Sequence, residues 1–405
     1  MKIATDLPTR VADAVAALRD GRLVLLVDSN DREDEADLVA SAENITAETV
    51  NFMVTHGRGL LCVPLDSSVA ARLGLSIASV KNPRMLQHCN FTESVDARDG
   101  TTTGISAYDR ARTISLLADK KSVADDFSTP GHVFPLIAKD GGVLERQGHT
   151  EGTIALLKIA ELAPVGAICE VMDTDGTMLR GKRLIAYAKK HKLPICSIEE
   201  ICEYERTRTI FVKKEVETKL PTEKFGTLKV VGYKGIFDDK DHLALVLGKL
   251  NIKSPVMVRI HSECLTGDVF GSVRCDCNSQ LFASLEAIKK EGSGVVLYLR
   301  HEGRGIGLIN KLKAYNLQDG GLDTYEANVK LGFKEDARSF EVARDMLRDL
   351  GISSVRLMTN NPAKIEMLKK SGIKVVERIP LLSKSVSPLL EKYLSAKKKR
   401  AGHLL

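Results

Sequence analysis

The chain runs to 405 residues, 43% of them hydrophobic and 28% charged, a balance that suits two folded domains, each able to bury its own core. Its net charge is +6, much of it in Lys397-Lys398-Lys399-Arg400; that run reads by default as a solvated tail, and the mild basic excess suits anionic substrates such as sugar phosphates and nucleotides. No stretch of about 18 apolar residues marks a membrane span, the first residues lack the apolar core of a signal peptide, and eight cysteines are too few for a disulfide scaffold, so a cytoplasmic protein with reduced or metal-binding thiols is expected.

The first predicted element is a helix over residues 11–20, closed by Gly21. Residues 23–27 form a continuous apolar run, read as a buried strand. An acidic segment follows over 28–37, where Glu33, Glu35 and Asp37 recur at period two; an extended loop would project all three carboxylates to one side. A lone charge run is more often solvated than functional, but the embedded Arg32 and the strand-end position raise the functional reading. Magnesium takes oxygen ligands, commonly one or two carboxylates plus substrate oxygens. His149, in Arg146-Gln147-Gly148-His149-Thr150, would add an imidazole, although a lone histidine is more often structural; the same caution applies to His132, between Pro130 and Pro135. Residues 153–162 read as a helix, 165–171 as a strand, and 184–192 as a helix stopped by Pro194. From about 204 to 224 the composition shifts to Arg, Lys, Glu and Thr, with Pro221, which places a domain boundary between 1–203 and 204–405.

Beyond it, apolar runs at 243–247, 256–260, 295–299 and 355–358 alternate with helical patterns at 280–290 and 340–350, as in an α/β domain. Cys264, Cys275 and Cys277 form C-x10-C-x-C. A closed zinc ribbon would want paired C-x2-C knuckles, and unligated thiols would not be expected so close together among charged neighbours. Three thiols with no obvious fourth ligand favour an open, catalytic zinc site, where a bound water has its pKa lowered towards about 7. His261 is near in sequence but lies on a strand pattern. The turn Glu302-Gly303-Arg304-Gly305-Ile306-Gly307 fails the dinucleotide fingerprint, because its glycine spacing is wrong; with Glu302 and Arg304 it reads as a polar ligand loop. Thr359-Asn360-Asn361-Pro362 reads either as an anion-binding turn at a helix start or as a plain strand-to-helix turn.

Four of these segments, namely Arg259-Ile260-His261-Ser262-Glu263-Cys264-Leu265-Thr266-Gly267-Asp268, Arg274-Cys275-Asp276-Cys277, residues 300–308 and Thr359–Pro362, together with residues 323–328 and the terminal Gly402-His403-Leu404-Leu405, resemble GTP cyclohydrolase II from about residue 204 to the end. The resemblance implies zinc on Cys264, Cys275 and Cys277. It implies GTP contacts from Val258, Arg259, Ile260, His261, Ser262 and Glu263, and from Gln280, Glu302, Gly303, Arg304, Thr324, Thr359 and Lys364. Asp336 matches the family's acid–base residue, Arg338 its nucleophile and Tyr315 its active-site tyrosine. A guanidinium stays protonated and attacks poorly, so a charge clamp on the α-phosphate is the other role open to Arg338.

In the first half, residues 31–37, 102–110, 130–135, 146–151 and Ile168-Cys169-Glu170 resemble 3,4-dihydroxy-2-butanone-4-phosphate synthase over roughly residues 8–203. The resemblance implies magnesium or manganese on Glu33 and His149. Ribulose 5-phosphate would be held by Arg32, Glu33, Asp37, Arg146, Gln147, Gly148, His149, Thr150 and Glu170, with His132 and Glu170 at catalytic positions. The chain departs from the family at Asp34, Ala36, Asn90 and Glu93. Ala36 would be strained if its backbone needed positive φ, and Glu93 would be costly inside an apolar strand unless it met solvent or a cation.

The expected architecture is α/β in two domains, an N-terminal α+β synthase-like domain and a C-terminal α/β cyclohydrolase-like domain. The expected protein is a cytoplasmic bifunctional homodimer supplying riboflavin precursors from ribulose 5-phosphate and GTP, without nucleic acid or membrane as partners. One alternative keeps only the C-terminal head active. Another is a zinc-dependent nucleic-acid-binding regulator using the basic tail, against which stands an aromatic content of 5% with no Trp, a poor stacking platform.

Overall fold

The structure, a computed structural model, describes residues 7–29, 32–79, 89–336, 338, 340–381, 388–402 and 404. Asp31 of the acidic motif, His403 and Leu405 of the terminal motif, and the side chains of Lys397 and Lys399 lie outside the described residues. The chain divides into two compact units, Met1–Arg208 and Thr209–Leu405.

The first unit is built on a seven-stranded sheet: β1 (Val24–Val27), β2 (Ala36–Ser41), β3 (Cys62–Leu65), β4 (Val95–Ala97), β5 (Phe127–Ile137), β6 (Gly166–Glu170) and β7 (Ile195–Ser197), ordered β4-β5-β3-β6-β2-β1-β7. Pairing is mixed, antiparallel for β1–β2, β2–β6 and β4–β5, parallel for β1–β7 and β3–β5. The unbroken apolar run of β1 is explained by burial on both faces. Val24 and Leu26 pack with Val11, Leu18, Ile154 and Ile201, whereas Leu25 packs with Leu38, Val50, Ile114 and Leu117. Helices therefore cover both faces of the sheet. The first helix spans Thr9–Arg19, with Gly21 left-handed at φ +71° as the expected stop.

The four departures from the family pattern find a physical explanation. The left-handed residue in the acidic loop is Asp34, at φ +54°, a conformation that aspartate tolerates better than most residues. Ala36 opens β2 opposite Val27 and needs no such freedom. Glu93 is exposed, so no buried charge arises, and Asn90 donates to the Ile137 carbonyl at 3.2 Å.

The second unit holds another seven-stranded sheet: β8 (Val212–Thr222), β9 (Gly226–Gly235), β10 (Asp241–Leu247), β11 (Val256–Ser262), β12 (Gly294–Leu299), β13 (Ser354–Met358) and β14 (Lys374–Ile379), ordered β14-β13-β11-β12-β10-β9-β8. Strands β12, β11, β13 and β14 are parallel, and β10, β9 and β8 extend the sheet antiparallel. Leu285 and Ile288 of the helix Cys277–Glu291 pack on Met257 and Val296. The charged stretch at 204–224 contains the division between the two units, at Arg208 and Thr209. It comprises the end of the helix Ile198–Arg208 and nearly all of β8, which is exposed along most of its length. Alternating Lys and Glu suit a solvent-facing edge strand.

Candidate active sites

Strands β11, β12 and β13 run parallel and end at one edge of their sheet, the place where open α/β sheets bind ligands. The segments leaving them line one pocket. Glu263 and Cys264 follow β11, His301 to Arg304 follow β12, and Thr359 to Asn361 follow β13. Within β11 the side chains alternate: Arg259 and His261 line the pocket, whereas Val258 and Ile260 are fully buried and do not. At those last two positions the side chains turn away from the pocket, which leaves their backbone atoms. The Ile260 carbonyl accepts from Lys364 Nζ at 2.8 Å.

The three thiols of C-x10-C-x-C come together, their sulfurs all within 4.8 Å of one another. Cys264 and Cys275 stand 3.5 Å apart. The loop carrying Cys264 is held by Asp268, which accepts from the Cys264 amide at 3.0 Å and from the Tyr298 hydroxyl at 2.9 Å. His261 Nε2 lies 3.1 Å from both Asp268 oxygens, which commits this nitrogen to Asp268. Gly267 backs the cluster; a methyl group there would sit 2.8 Å from Cys275 Sγ and 3.0 Å from Cys264 Sγ. Lys311, buried on the helix Leu308–Asp319, reaches Cys264 Sγ at 3.1 Å and Glu302 at 2.7 Å. Glu302 also accepts from the Leu265 amide at 2.6 Å, which ties the β12 turn to the cysteine loop. That turn is possible because Gly303 and Arg304 both take φ near +61°.

Around the rest of the pocket, Arg259 donates to Gln280 at 2.6 Å and Gln280 donates to Asp276 at 2.6 Å. Tyr315 and Thr266 hydroxyls meet at 3.0 Å, with the Arg274 guanidinium 4.8 Å from the Tyr315 ring centre. Thr324 opens a helix capped by Asp323, and Asn361 caps the helix starting at Pro362. Asp336 does not line the pocket but grips two residues that do. It accepts from Arg338 Nε at 2.8 Å, from Arg338 Nη2, and from Arg304 at 3.1 Å. Burial pushes the Asp336 carboxyl up, yet the paired Arg338 and Arg304 hold it below the usual carboxylate range. Burial, reinforced by the neighbouring His242, drives His301 down to about 3, so a neutral imidazole lines the wall.

In the first unit, Asp28, Glu33 and His149 place ligand atoms within 4.8 Å of one another. His149 Nδ1 lies 3.9 Å from Glu33 and 3.9 Å from Asp37. The period-two carboxylates do not all share a side: Glu33 and Asp37 converge on His149, whereas Glu35 stands 3.6 Å from Arg180, because the left-handed turn at Asp34 breaks the alternation. Asp28 ties the loop together, accepting from Arg32 at 2.8 Å and from the Glu35 amide at 2.9 Å. Arg32 also pairs with Glu33 at 2.8 Å. Asp37 pairs across strands with Glu170. Burial first, then the Glu170 and Glu33 charges, raise the Asp37 carboxyl well above its ordinary value. Asp37 Oδ1 and His149 Nε2 are buried without a hydrogen-bond partner.

Gly148 caps the helix His149–Ile159, where Thr150 is buried; Gln147 is half-buried. Arg146 donates to Glu151 at 2.6 Å and Cys89 at 3.0 Å. Glu170 accepts from the Leu60 amide at 2.8 Å. His132, on β5, is paired through Nδ1 with Asp96 at 2.7 Å and remains largely exposed. Sequence reasoning passed over Asp28, Lys311 and His301. Asp28 looked like the first member of an acidic run, and Lys311 sits on a weakly patterned helix where lysine ordinarily faces solvent.

These features define a bifunctional enzyme with one site in each unit. The family model for 3,4-dihydroxy-2-butanone 4-phosphate synthase matches residues 12–204, and that for GTP cyclohydrolase II matches residues 213–380. The riboflavin biosynthesis proteins RibBA of Bacillus cytotoxicus and Bacillus subtilis are each 50% identical over 396 residues, 98% of this chain and 99% and 98% of theirs. A solved structure of RibBX, a two-domain 3,4-dihydroxy-2-butanone 4-phosphate synthase from A. baumannii, superposes with a TM-score of 0.68 at 30% identity, covering 93% of this chain and 100% of that one. The chain belongs to the RibBA family of riboflavin biosynthesis enzymes, with both domains present. Among the described residues no helix is long and apolar enough to cross a membrane.

Proposed function

We propose that the C-terminal unit hydrolyses GTP to 2,5-diamino-6-(5-phosphoribosylamino)pyrimidin-4-one, formate and pyrophosphate. The N-terminal unit converts D-ribulose 5-phosphate to 3,4-dihydroxy-2-butanone 4-phosphate and formate. The observation that carries the first reading is the thiol cluster in the pocket wall. Ligands about 2.3 Å from a tetrahedral zinc ion stand about 3.8 Å apart, close to the 3.5 Å between Cys264 and Cys275. Three thiolates and one adjacent ammonium, Lys311, would nearly balance a divalent cation. Zinc bound there would supply Lewis-acid activation of water beside the guanine imidazole ring.

The chain's own groups do the rest. Arg259, Arg304, Arg338 and Lys364 supply positive charge for the phosphates. The Arg338 fork is engaged on two nitrogens by Asp336, and burial is outweighed by that pairing, so the guanidinium keeps its proton more firmly than usual. A charge clamp suits this geometry better than a nucleophile. Tyr315, its hydroxyl beside Thr266, is placed to orient the ring-opening site.

In the first unit the buried, unpartnered Asp37 Oδ1 and His149 Nε2, with Glu33 and Asp28 nearby, fit a divalent cation and sugar oxygens. Magnesium or manganese would there stabilise an enediolate. Asp37 and Glu170, adjacent across β2 and β6, would share proton transfer. The working assembly is taken to be a cytoplasmic homodimer, as the family resemblance implies. Formate release from each substrate, measured on wild type, Cys275→Ser and Glu33→Ala, tests both readings. Cys275→Ser should silence only GTP turnover, and Glu33→Ala only pentose-phosphate turnover. Retained turnover of the matching substrate in either variant would refute that site's assignment.

A further inference from the structure

The terminal helix, Pro388–Ala401, has no role in the chemistry above. It is nevertheless built into the nucleotide pocket. Tyr393, on the helix Pro388–Ala401, lines the pocket wall. Leu390, one turn earlier, is buried at 3% exposure and seats the helix. Farther along, Arg400 stands 2.8 Å from Glu326 and 3.4 Å from Asp323, the cap of the helix that begins at Thr324. Past the helix end, the Leu404 amide donates to the Asn360 carbonyl at 2.9 Å, and the Leu404 carbonyl accepts from Arg378 at 3.3 Å. Thr324 and Asn360 both line the pocket. The segment is thus tied to two separate walls of the cavity, and Tyr393 is the residue it presents to the interior.

The placement of the ring is specific. The pocket wall that Tyr393 joins also carries Cys277 and Arg304. Apart from Tyr315, whose hydroxyl is engaged by Thr266 and whose ring lies near Arg274, Tyr393 is the tyrosine lining this pocket. A flat aromatic face in a cavity otherwise rich in charge is what a purine base stacks on.

Resting on the reading of this pocket as a GTP site, we propose that Tyr393 is a substrate-positioning residue whose ring forms the wall against which the purine nucleotide lies. The terminal helix then serves nucleotide affinity rather than the chemical step. Removing the ring should weaken binding of the nucleotide about tenfold, within the range for one base–aromatic contact, while the metal site stays filled.

The test uses the full-length, zinc-loaded enzyme and three proteins: wild type, Tyr393→Ala and Tyr393→Phe. KM and kcat for GTP are measured beside the dissociation constant of a β,γ-methylene GTP analogue and the zinc content per chain. Tyr393→Ala should raise KM and the analogue's dissociation constant about tenfold, with zinc content at the wild-type level and kcat within about threefold. Tyr393→Phe, which keeps the ring, should stay within about threefold of wild type on every measure. Tyr393→Leu repeats the test should the alanine variant fold poorly. Wild-type affinity in Tyr393→Ala or Tyr393→Leu would overturn the proposal, as would a phenylalanine variant as weak as alanine, or a loss confined to kcat. A wild type that neither binds nor opens GTP would overturn this and the assignment of the pocket together. An active wild type with an unaffected alanine variant would overturn the role of Tyr393 alone.

Discussion

Replacing Gly267 with alanine tests whether the three thiols form a preorganised metal site. An added Cβ would lie 2.8 Å from Cys275 Sγ, 3.0 Å from Cys264 Sγ and 3.2 Å from Cys277 Cβ. Heavy atoms of this size rest about 3.5–4.0 Å apart, so at least one sulfur must retreat by about 0.7 Å. A metal site tolerates ligand displacements of about 0.2 Å. The neighbouring contacts leave little slack, because the Cys264 amide is bound by Asp268 and the Leu265 amide by Glu302. Disturbing the support of a metal ligand commonly costs 10- to 100-fold in affinity, which is about 1.4–2.7 kcal/mol. Zinc affinity is read by competition with a chromogenic chelator at constant pH, and GTP turnover is followed by formate release. Turnover of ribulose 5-phosphate serves as the internal control and should not change. Wild-type zinc affinity in Gly267→Ala would refute the reasoning.

Other perturbations bear on single steps. Lys311→Met leaves the Glu302 carboxylate buried beside the thiols without its cation; the C-terminal unit should lose about 3 kcal/mol in urea unfolding, and adding Glu302→Gln should recover much of it. Equal stability of the single and double variants would show that the pair is not coupled. For Asp37 the sign follows from its raised carboxyl: the folded state binds that proton more tightly than the unfolded chain, so stability falls as pH rises above the ordinary carboxylate value. In chelator-treated protein Asp37→Asn should therefore melt higher than wild type at pH 8, with the gap closing as pH falls towards 4; a constant gap would argue against the buried acid. Rapid quenching with α-labelled GTP tests the charge-clamp role proposed for Arg338: no covalently labelled protein is expected, and label recovered on Arg338 would contradict that role.

What the sequence made legible was chemistry carried by rare residue types. Cys264, Cys275 and Cys277 are close in the chain, and three thiols near charged neighbours have few uses besides a metal. The buried strands were also visible, because β1, β11 and β12 are apolar runs flanked by polar turns. Residues whose meaning comes from tertiary placement stayed hidden. Lys311 reads as a surface lysine until its helix turns it onto Cys264 and Glu302. Asp28 reads as one more acid until its oxygens are seen to collect Arg32 and two loop amides. Tyr393 lies some 130 residues from the cysteine loop that shares its pocket, and nothing in its neighbours announces that. At Val258 and Ile260 strand alternation turns the side chains into the core, which a run of consecutive motif residues does not reveal. At 204–224 the shift in composition marked the division between the units, while the edge strand β8 inside it stayed hidden because its residues are mostly charged and exposed.

The metal centre itself offers the most direct measurement. X-ray absorption at the zinc edge of the purified protein should show three sulfur neighbours at about 2.3 Å and one light oxygen or nitrogen neighbour, with the light neighbour altered when a GTP analogue is added. Four sulfurs, a site closed by a protein nitrogen and unmoved by the analogue, or the absence of any bound zinc in active enzyme would contradict a three-thiolate centre that keeps one position for water.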